Sequence, residues 1–147
     1  MDELKFAVIG NPVSHSLSPD IHLFFASQFQ LERYTYNKIK SNENDFERDI
    51  NDFFKNGGVG LNVTVPFKGL AYNLCDELDQ SAGLCKSVNT VLIDSGKLIG
   101  HSTDGQGLID DFLHKEITLE DSKILIIGAG GSAASIISSL LLHGKIK

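Results

Sequence analysis

The chain has 147 residues, of which 41% are hydrophobic and 22% charged, and its formal net charge is −6. This composition is typical of one globular domain, and the acidic balance disfavours a protein that binds nucleic acid. The two cysteines and five histidines lack metal-ligand spacing, and no apolar stretch reaches the roughly 20 residues that span a bilayer, so we predict a soluble cytoplasmic protein without metal or membrane segment.

Strands and helices alternate in the N-terminal part of the chain. Apolar runs at residues 5–9 and 34–39 predict two strands. Between them, Ser18 is the expected N-cap of a helix, with Pro19 at the first helical position. After the second strand, Asn44 is the expected N-cap of the next helix. The expected apolar face of the first helix consists of Ile21, Phe24, Phe25 and Phe29.

A strand followed by a lysine is predicted in the middle of the chain. Residues 61–65 alternate apolar and polar side chains, which places Asn62 and Thr64 on one face of a strand. Lys68 follows at the carboxyl end of this strand, where open α/β sheets bind ligands. A lysine held there by a carboxylate can donate a proton, although an exposed lysine at a helix start is the commoner arrangement.

Two serines precede the first predicted helix. Hydroxyl groups near a helix N-terminus suit an anion such as a carboxylate, which makes Ser16 and Ser18 candidate ligands. A simple N-cap role for Ser18 and a loop position for Ser16 remain the alternative.

Five further elements are predicted later in the chain. Two helices are expected at residues 68–74 and 80–86, a strand at 89–93, a hairpin at 95–100, and a helix that Asp104 can cap at 105–114. This alternation predicts a layered α/β domain.

A glycine-rich turn lies in the last part of the chain. Residues 123–127 predict a strand, and residues 134–142 predict an apolar helix. Between them, G-x-G-x-x-A spacing is typical of a turn that brings the backbone close to a dinucleotide pyrophosphate at a helix N-terminus. A βα turn of another kind of α/β protein remains the alternative. The expected cofactor-binding residues are Gly128, Ala129, Gly130, Gly131, Ser132 and Ala133.

Five segments together resemble the signatures of the shikimate dehydrogenase family. They occur in the family's order at residues 10–19 (GNPVSHSLSP), 60–68 (GLNVTVPFK), 87–90 (SVNT), 103–107 (TDGQG) and 128–133 (GAGGSA). The resemblance implies a layered α/β substrate-binding domain followed by the first β-α unit of a truncated Rossmann-like domain. The implied division is a substrate-binding catalytic domain at residues 1–104, a connecting helix and linker at 105–120, and an incomplete dinucleotide-binding domain at 121–147.

The resemblance also implies a reaction. The family reversibly reduces 3-dehydroshikimate to shikimate in chorismate and aromatic amino-acid biosynthesis, and NADP rather than NAD is the implied cofactor. Lys68 and Asp104 would form the catalytic pair, with Lys68 passing a proton to or from the reacting oxygen. The implied contacts are Ser16 and Ser18 with the shikimate carboxylate, and Thr64, Asn89 and Asp104 with the ring hydroxyls, beside Lys68.

Three departures from the family pattern bear on specificity. Lys86 and Ser87 replace the usual Gly-Ala before Val-Asn-Thr, Ser102 replaces an Asn, and Gln80 occupies a position near the cofactor that is often acidic. Lys86 adds positive charge close to Asn89, where it either alters substrate preference or points to solvent.

Family members are much longer than this chain, so we expect an inactive or weakly active fragment. The last helix would expose apolar side chains, and residues after about 121 are therefore expected to be swapped, packed on another chain as in a homodimer, or poorly ordered. The side chains concerned are Ile136, Ile137, Leu140, Leu141 and Leu142. A quinate or shikimate dehydrogenase that uses NAD, and a shikimate-binding module without redox activity, are the alternative functions.

Overall fold

The computed structural model describes residues 3–143, which form one mixed sheet and the helices around it. The strands are β1 (Leu4–Gly10), β2 (Tyr34–Lys40), β3 (Gly58–Val63), β4 (Glu77–Leu78), β5 (Thr90–Asp94) and β6 (Lys97–His101). The helices are α1 (Ser18–Gln28), α2 (Phe46–Lys55), α3 (Lys68–Leu74), α4 (Gln80–Cys85), α5 (Asp104–His114) and α6 (Gly131–His143). The predicted α/β fold class is confirmed.

The strand directions bring distant parts of the sequence to one edge of the sheet. The strand order is β2-β1-β3-β5-β6-β4, and β1 is parallel to β2 and β3. β5 is antiparallel to both β3 and β6. The carboxyl ends of β1, β3 and β6 therefore lie beside the amino end of β5. The segments adjoining these ends carry Ser16, Thr64, Asn89 and Asp104.

The main hydrophobic core lies on one face of the sheet. Alternate residues of each strand point toward it. Its buried members come from the central strands and from the helices α2, α3 and α4: Ala7, Ile9, Phe46, Ile50, Phe54, Leu61, Val63, Phe67, Ala71, Ala82, Val88 and Val91. The opposite face carries Val8 and Tyr36. There His22 of α1 stacks on the Tyr36 ring, with the ring centroids 4.4 Å apart.

The apolar face predicted for α1 is largely uncovered in the described part of the chain. Phe24 is 60% exposed and Phe29 is 76% exposed. Ile21 and Phe25 are also exposed, whereas Ala26 is the buried residue of this helix. The helix contacts the sheet through His22 instead, so helical spacing alone identified the wrong contact face.

Both predicted caps are displaced by one residue. The N-cap is Leu17 for α1 and Asp45 for α2, and neither makes a side-chain capping hydrogen bond. Ser18 is instead the first helical residue of α1. Before α2, Asn42 Oδ1 accepts hydrogen bonds from the backbone N–H groups of Asn44 and Asp45 at 3.0 and 3.2 Å. This turn satisfies the two N–H groups that immediately precede α2.

The strand predicted at residues 123–127 is not formed. No described strand lies beside this segment, and a strand without a neighbour leaves its backbone donors and acceptors without ladder partners. Leu125 and Ile127 are 84% and 92% exposed as a result. The glycine-rich turn and α6 are formed without this strand.

Helix α6 packs within the chain, against α5 and α4. Ser135 is fully buried at this contact, where its Oγ accepts hydrogen bonds from Ser102 Oγ at 2.7 Å and from the Gly105 N–H at 3.1 Å. Leu140 is buried beside Ile109. The expected exposure of the α6 apolar residues is therefore wrong for Leu140, while Ile136 is partly buried. The residues that remain exposed are Ile137, Leu141 and Leu142.

The contact of α6 with α5 depends on Gly105 having no side chain. A Cβ there would collide with the Ser135 carbonyl oxygen and would lie 2.7 Å from Ser139 Cβ. We expect Gly105→Ala to displace α6 and to cost about 1–3 kcal/mol. Amide exchange of residues 131–143, measured by mass spectrometry, should rise. Gly107→Ala is the control, because a Cβ there meets nothing within 4 Å. Unchanged protection in Gly105→Ala would contradict the described packing.

No helix within residues 3–143 is long and apolar enough to cross a membrane. Over the same range, no group of three His, Cys, Asp or Glu side chains could hold a metal ion. Cys75 and Cys85 are free thiols. Burial raises the pKa of Cys75 to about 11, and the neighbouring charge of Asp76 adds to the shift.

Candidate functional site

A cavity of about 380 Å³ lies at the sheet edge where the four strand ends meet. Every residue predicted to contact substrate lines it: Ser16, Ser18, Thr64, Lys68, Asn89 and Asp104. These side chains come from the loop after β1, the turn after β3, the residue before β5 and the first residues of α1, α3 and α5. The structure therefore places the predicted residues together, and the role of each stays a prediction.

Lys68 and Asp104 form an ion pair in the wall of this cavity. Lys68 Nζ lies 2.5 Å from Asp104 Oδ2, and the two side chains are 13% and 26% exposed. Partial burial strengthens this attraction relative to a pair in water. Asn89 Nδ2 donates to the other oxygen, Asp104 Oδ1, at 2.6 Å. Asn89 is itself held by the Thr103 N–H, which donates to Asn89 Oδ1 at 3.0 Å. The carboxylate is thus fixed through both oxygens, and it orients the ammonium.

Ser16 and Ser18 lie together at the start of α1. The Ser18 N–H donates to Ser16 Oγ at 3.2 Å, and the Ser16 hydroxyl donates to Ser18 Oγ at 3.1 Å. The Ser18 hydroxyl does not cap the helix, so the N-cap alternative does not explain its position. The positive end of the helix dipole favours a negative group at this end of the cavity.

Three further polar residues belong to this region and were not predicted as site residues. Asn62 and His22 line the cavity. The Tyr36 hydroxyl donates to Asn62 Oδ1 at 2.6 Å. Burial raises the pKa of Tyr36 to about 12, against an opposing hydrogen bond with Ser18, so the phenol remains protonated near neutral pH. Burial lowers the pKa of His22, which favours the neutral imidazole.

The sequence contained a signal for only one of these three. Asn62 alternates with Thr64, which predicted that both side chains share a strand face. His22 and Tyr36 meet only because α1 turns this side toward β2, and helical spacing did not reveal that orientation.

A second cavity, of about 600 Å³, lies between Lys68 and the glycine-rich turn. It is lined by all the predicted cofactor-binding residues: Gly128, Ala129, Gly130, Gly131, Ser132 and Ala133. Gly128 has φ +135°, and a Cβ on Gly128 or Gly130 would meet nothing within 4 Å. Helix α6 begins at Gly131. Open space before these glycines, together with free helix N–H groups, fits the pyrophosphate of a dinucleotide.

Ser132 connects the glycine-rich turn to the ion pair. Lys68 Nζ donates to Ser132 Oγ at 3.0 Å, and the Ser132 hydroxyl donates to Asp104 Oδ2 at 3.1 Å. Lys68 lines both cavities. A lysine between a polar cavity and a dinucleotide-type turn is typical of oxidoreductases that reduce a carbonyl group, because the carbonyl oxygen needs a proton source while the carbon receives hydride.

Comparison with known proteins narrows this class. The family described as "Shikimate dehydrogenase substrate binding domain" matches residues 8–91. The chain is 43% identical over 140 residues to the shikimate dehydrogenase (NADP(+)) of Acinetobacter baylyi, a match that covers 95% of this chain and 53% of the relative. For the protein of the same name from Acinetobacter baumannii, the identity is 44% over 143 residues, with 97% and 54% covered.

Solved structures agree with the sequence matches. Shikimate 5-dehydrogenase from Thermus thermophilus, in complex with NADP(H) and shikimate, superposes with a TM-score of 0.89 at 31% identity, over 97% of this chain and 54% of that chain. The chain belongs to the shikimate dehydrogenase family. It spans about half the length of the curated relatives it matches.

Proposed function

We propose that this chain supplies the substrate-binding and catalytic residues of an NADP-dependent shikimate dehydrogenase, which reversibly reduces 3-dehydroshikimate to shikimate in aromatic amino-acid biosynthesis. The observation that carries this proposal is the Lys68–Asp104 ion pair between the two cavities. In the proposed division, residues 1–104 form the substrate-binding catalytic domain, 105–120 connect, and 121–147 belong to an incomplete dinucleotide-binding domain.

Shikimate carries a carboxylate and ring hydroxyls, and the first cavity offers partners for both. Ser16 and Ser18, at the positive end of α1, are proposed to hold the carboxylate. Thr64, Asn89 and Asp104 are proposed to bind the ring hydroxyls. In the proposed orientation the reacting oxygen faces Lys68.

Lys68 is proposed to transfer the proton of the reaction. When the carbonyl carbon receives hydride, Lys68 Nζ gives a proton to the carbonyl oxygen, and in the oxidation of shikimate the same nitrogen takes the hydroxyl proton. Asp104 pairs with Lys68 Nζ and directs it at the cavity. Because Asn89 holds the second oxygen of Asp104, the carboxylate stays in place during the transfer.

The proposed cofactor is NADP, which supplies or accepts the hydride when bound. The glycine-rich turn would hold its pyrophosphate, and the names of the two Acinetobacter relatives support NADP over NAD. The residue that selects between the two cofactors lies about 20 positions beyond the glycines, at the end of a second strand, which is outside the described residues. NAD therefore stays part of the alternative.

A spectrophotometric assay of NADPH absorbance with 3-dehydroshikimate tests the reaction. The reverse reaction is followed with shikimate or quinate and with NADP⁺ or NAD⁺. We expect the highest kcat/KM for shikimate with NADP⁺, and preference for quinate or NAD⁺ would favour the alternative dehydrogenase. The remaining alternative is a shikimate-binding module without redox activity. It would be favoured if calorimetry shows shikimate binding but no turnover is seen, even after the chain is joined to the part of the Acinetobacter baylyi relative that lies outside the match.

We propose that the chain alone has little or no activity. The support is local, since residues 123–127 have no neighbouring strand among the described residues and their apolar side chains are exposed. The same assay on the chain with and without the added part of the relative measures the difference. Equal turnover in both would contradict this proposal.

A homodimer or a domain-swapped assembly of the chain is also proposed. It rests on three exposed apolar side chains: Phe24 of α1, Phe29 directly after α1, and Leu141 of α6. Sedimentation velocity should show a concentration-dependent dimer, and Phe24→Asp should shift it toward monomer without loss of helix content. A monomer over the whole micromolar range would contradict the assembly. The cytoplasmic location stays a prediction for cell fractionation.

A further inference from the structure

The cavity at the glycine-rich turn contains a cation that the reaction described above does not use. Lys68 and Lys86 line this cavity, and no carboxylate lines it. Lys68 is paired with Asp104. The ammonium of Lys86 has no hydrogen-bond or ion-pair partner within residues 3–143. On a chain with a net charge of −6, this leaves the cavity with one unbalanced positive charge.

The backbone around Lys86 is fixed directly beside the glycine-rich turn. Lys86 ends α4 with φ 51°, a left-handed conformation that few residues other than glycine adopt. The next residue, Ser87, is buried, and its Oγ would lie 2.6 Å from a Cβ on Gly131. Contact between α4 and α6 holds these two segments together. The position of Lys86 is therefore set by packing, although its side chain is exposed.

The ligand that this arrangement suits is an anion with more than one phosphate oxygen. The open space before Gly128 and Gly130 gives the anion room. The first turn of α6 supplies backbone N–H donors. Lysine provides a compact point charge with three donors, which suits phosphate oxygens. Because no side chain within residues 3–143 pairs with the Lys86 ammonium, this charge can pair with a bound anion.

We propose that Lys86 binds the pyrophosphate of the dinucleotide held at the glycine-rich turn, and so acts as a cofactor-affinity residue. This inference rests on the proposed function, because it needs a dinucleotide in that cavity. It differs from both alternatives given above for Lys86, an altered substrate preference and a side chain that points to solvent, because it assigns the lysine to the cofactor.

Calorimetric titration of the chain with NADPH tests this role. We expect Lys86→Gln to weaken NADPH binding about tenfold, since a charge-assisted contact is lost. Lys86→Arg should retain most of the affinity. Lys97→Gln is the matched control, because Lys97 is exposed and pairs with Glu77 away from this cavity. Inorganic pyrophosphate, titrated in parallel, should lose affinity by a similar factor in Lys86→Gln.

The outcomes separate the two proposals. NADPH binding that is equal in wild type and Lys86→Gln would overturn the role of Lys86 and leave the dinucleotide site intact. Weaker NADPH binding with unchanged pyrophosphate binding would place Lys86 at the nucleoside and overturn the assignment. Absence of both NADPH and pyrophosphate binding by a wild type that unfolds cooperatively on heating would overturn both this role and the proposed cofactor site.

Discussion

Replacing Lys68 with alanine is expected to lower kcat for 3-dehydroshikimate reduction about 10²–10⁴-fold, the range that a positioned proton donor contributes. The physical reason is the position of Nζ, which lies 2.5 Å from Asp104 Oδ2 and borders both cavities. Without it, the developing alkoxide has no ammonium beside it. Steady-state kinetics would be measured on the chain alone if it is active. Otherwise they would be measured on the chain joined to the part of the Acinetobacter baylyi relative that lies outside the match.

Two controls make this prediction specific. Lys68→Arg keeps a positive charge beside Asp104, but a guanidinium does not release its proton near neutral pH, so it should stay nearly as slow as Lys68→Ala. Lys97→Ala removes an exposed lysine that pairs with Glu77 and should leave kcat unchanged. Turnover close to wild type in Lys68→Ala would contradict the proton-transfer role.

Replacing Phe67 with alanine is expected to lower the free energy of unfolding by about 3–5 kcal/mol, the usual cost of a buried phenylalanine. Phe67 is 1% exposed, and its ring centroid lies 4.9 Å from that of Phe46. A loss of this size is a large part of the roughly 5–15 kcal/mol that stabilises a domain. Because Phe67 immediately precedes Lys68, the substitution should also loosen the position of the ion pair.

Urea denaturation at low protein concentration measures this difference, and Phe29→Ala is the matched control. The Phe29 ring is 76% exposed, so its removal should change the free energy of unfolding by no more than about 0.5 kcal/mol. The low concentration keeps self-association through α1 from contributing. Similar losses for the two variants would show that Phe67 does not occupy the core position described.

Local sequence patterns predicted most strands of the sheet correctly. In each case the structure supplies a neighbouring strand that pairs with the predicted one. The alternation at residues 61–65 identified β3, although the strand begins at Gly58 and ends at Val63. Its start was missed because Gly58 and Gly60 have no side chain to give a pattern. Its end was placed late because Thr64 leaves the regular ladder, even though its N–H still donates to the Ile9 carbonyl at 3.0 Å.

Tertiary context explains the remaining differences. Residues 123–127 have the composition of a strand but no partner strand among the described residues, and propensity alone does not satisfy backbone groups. β4 has only two residues, too few for any periodicity. The buried pair of Ser102 and Ser135 was unpredictable for another reason, since two serines far apart in sequence carry no sign that they meet.

The candidate site was predictable because motif order and sheet direction agree. Lys68 follows β3 and Asp104 follows β6, and both ends lie at the same sheet edge, so two side chains distant in sequence meet. His22, which lines the cavity and stacks on Tyr36, was missed because its position depends on the orientation of α1. Ser132 was expected only at the cofactor. The glycine-rich motif gave no sign that its side chain also forms hydrogen bonds with Lys68 and Asp104.

The most direct test of the central claim is calorimetric titration of the chain with shikimate. We predict saturable binding of one shikimate per chain, and about tenfold weaker binding by Asp104→Asn, which removes a charged partner from the cavity. Asp111→Asn, which alters an exposed carboxylate paired with Lys115, should bind like wild type. Absence of binding by the folded wild type, or equal binding by Asp104→Asn, would contradict the assignment of this cavity to shikimate.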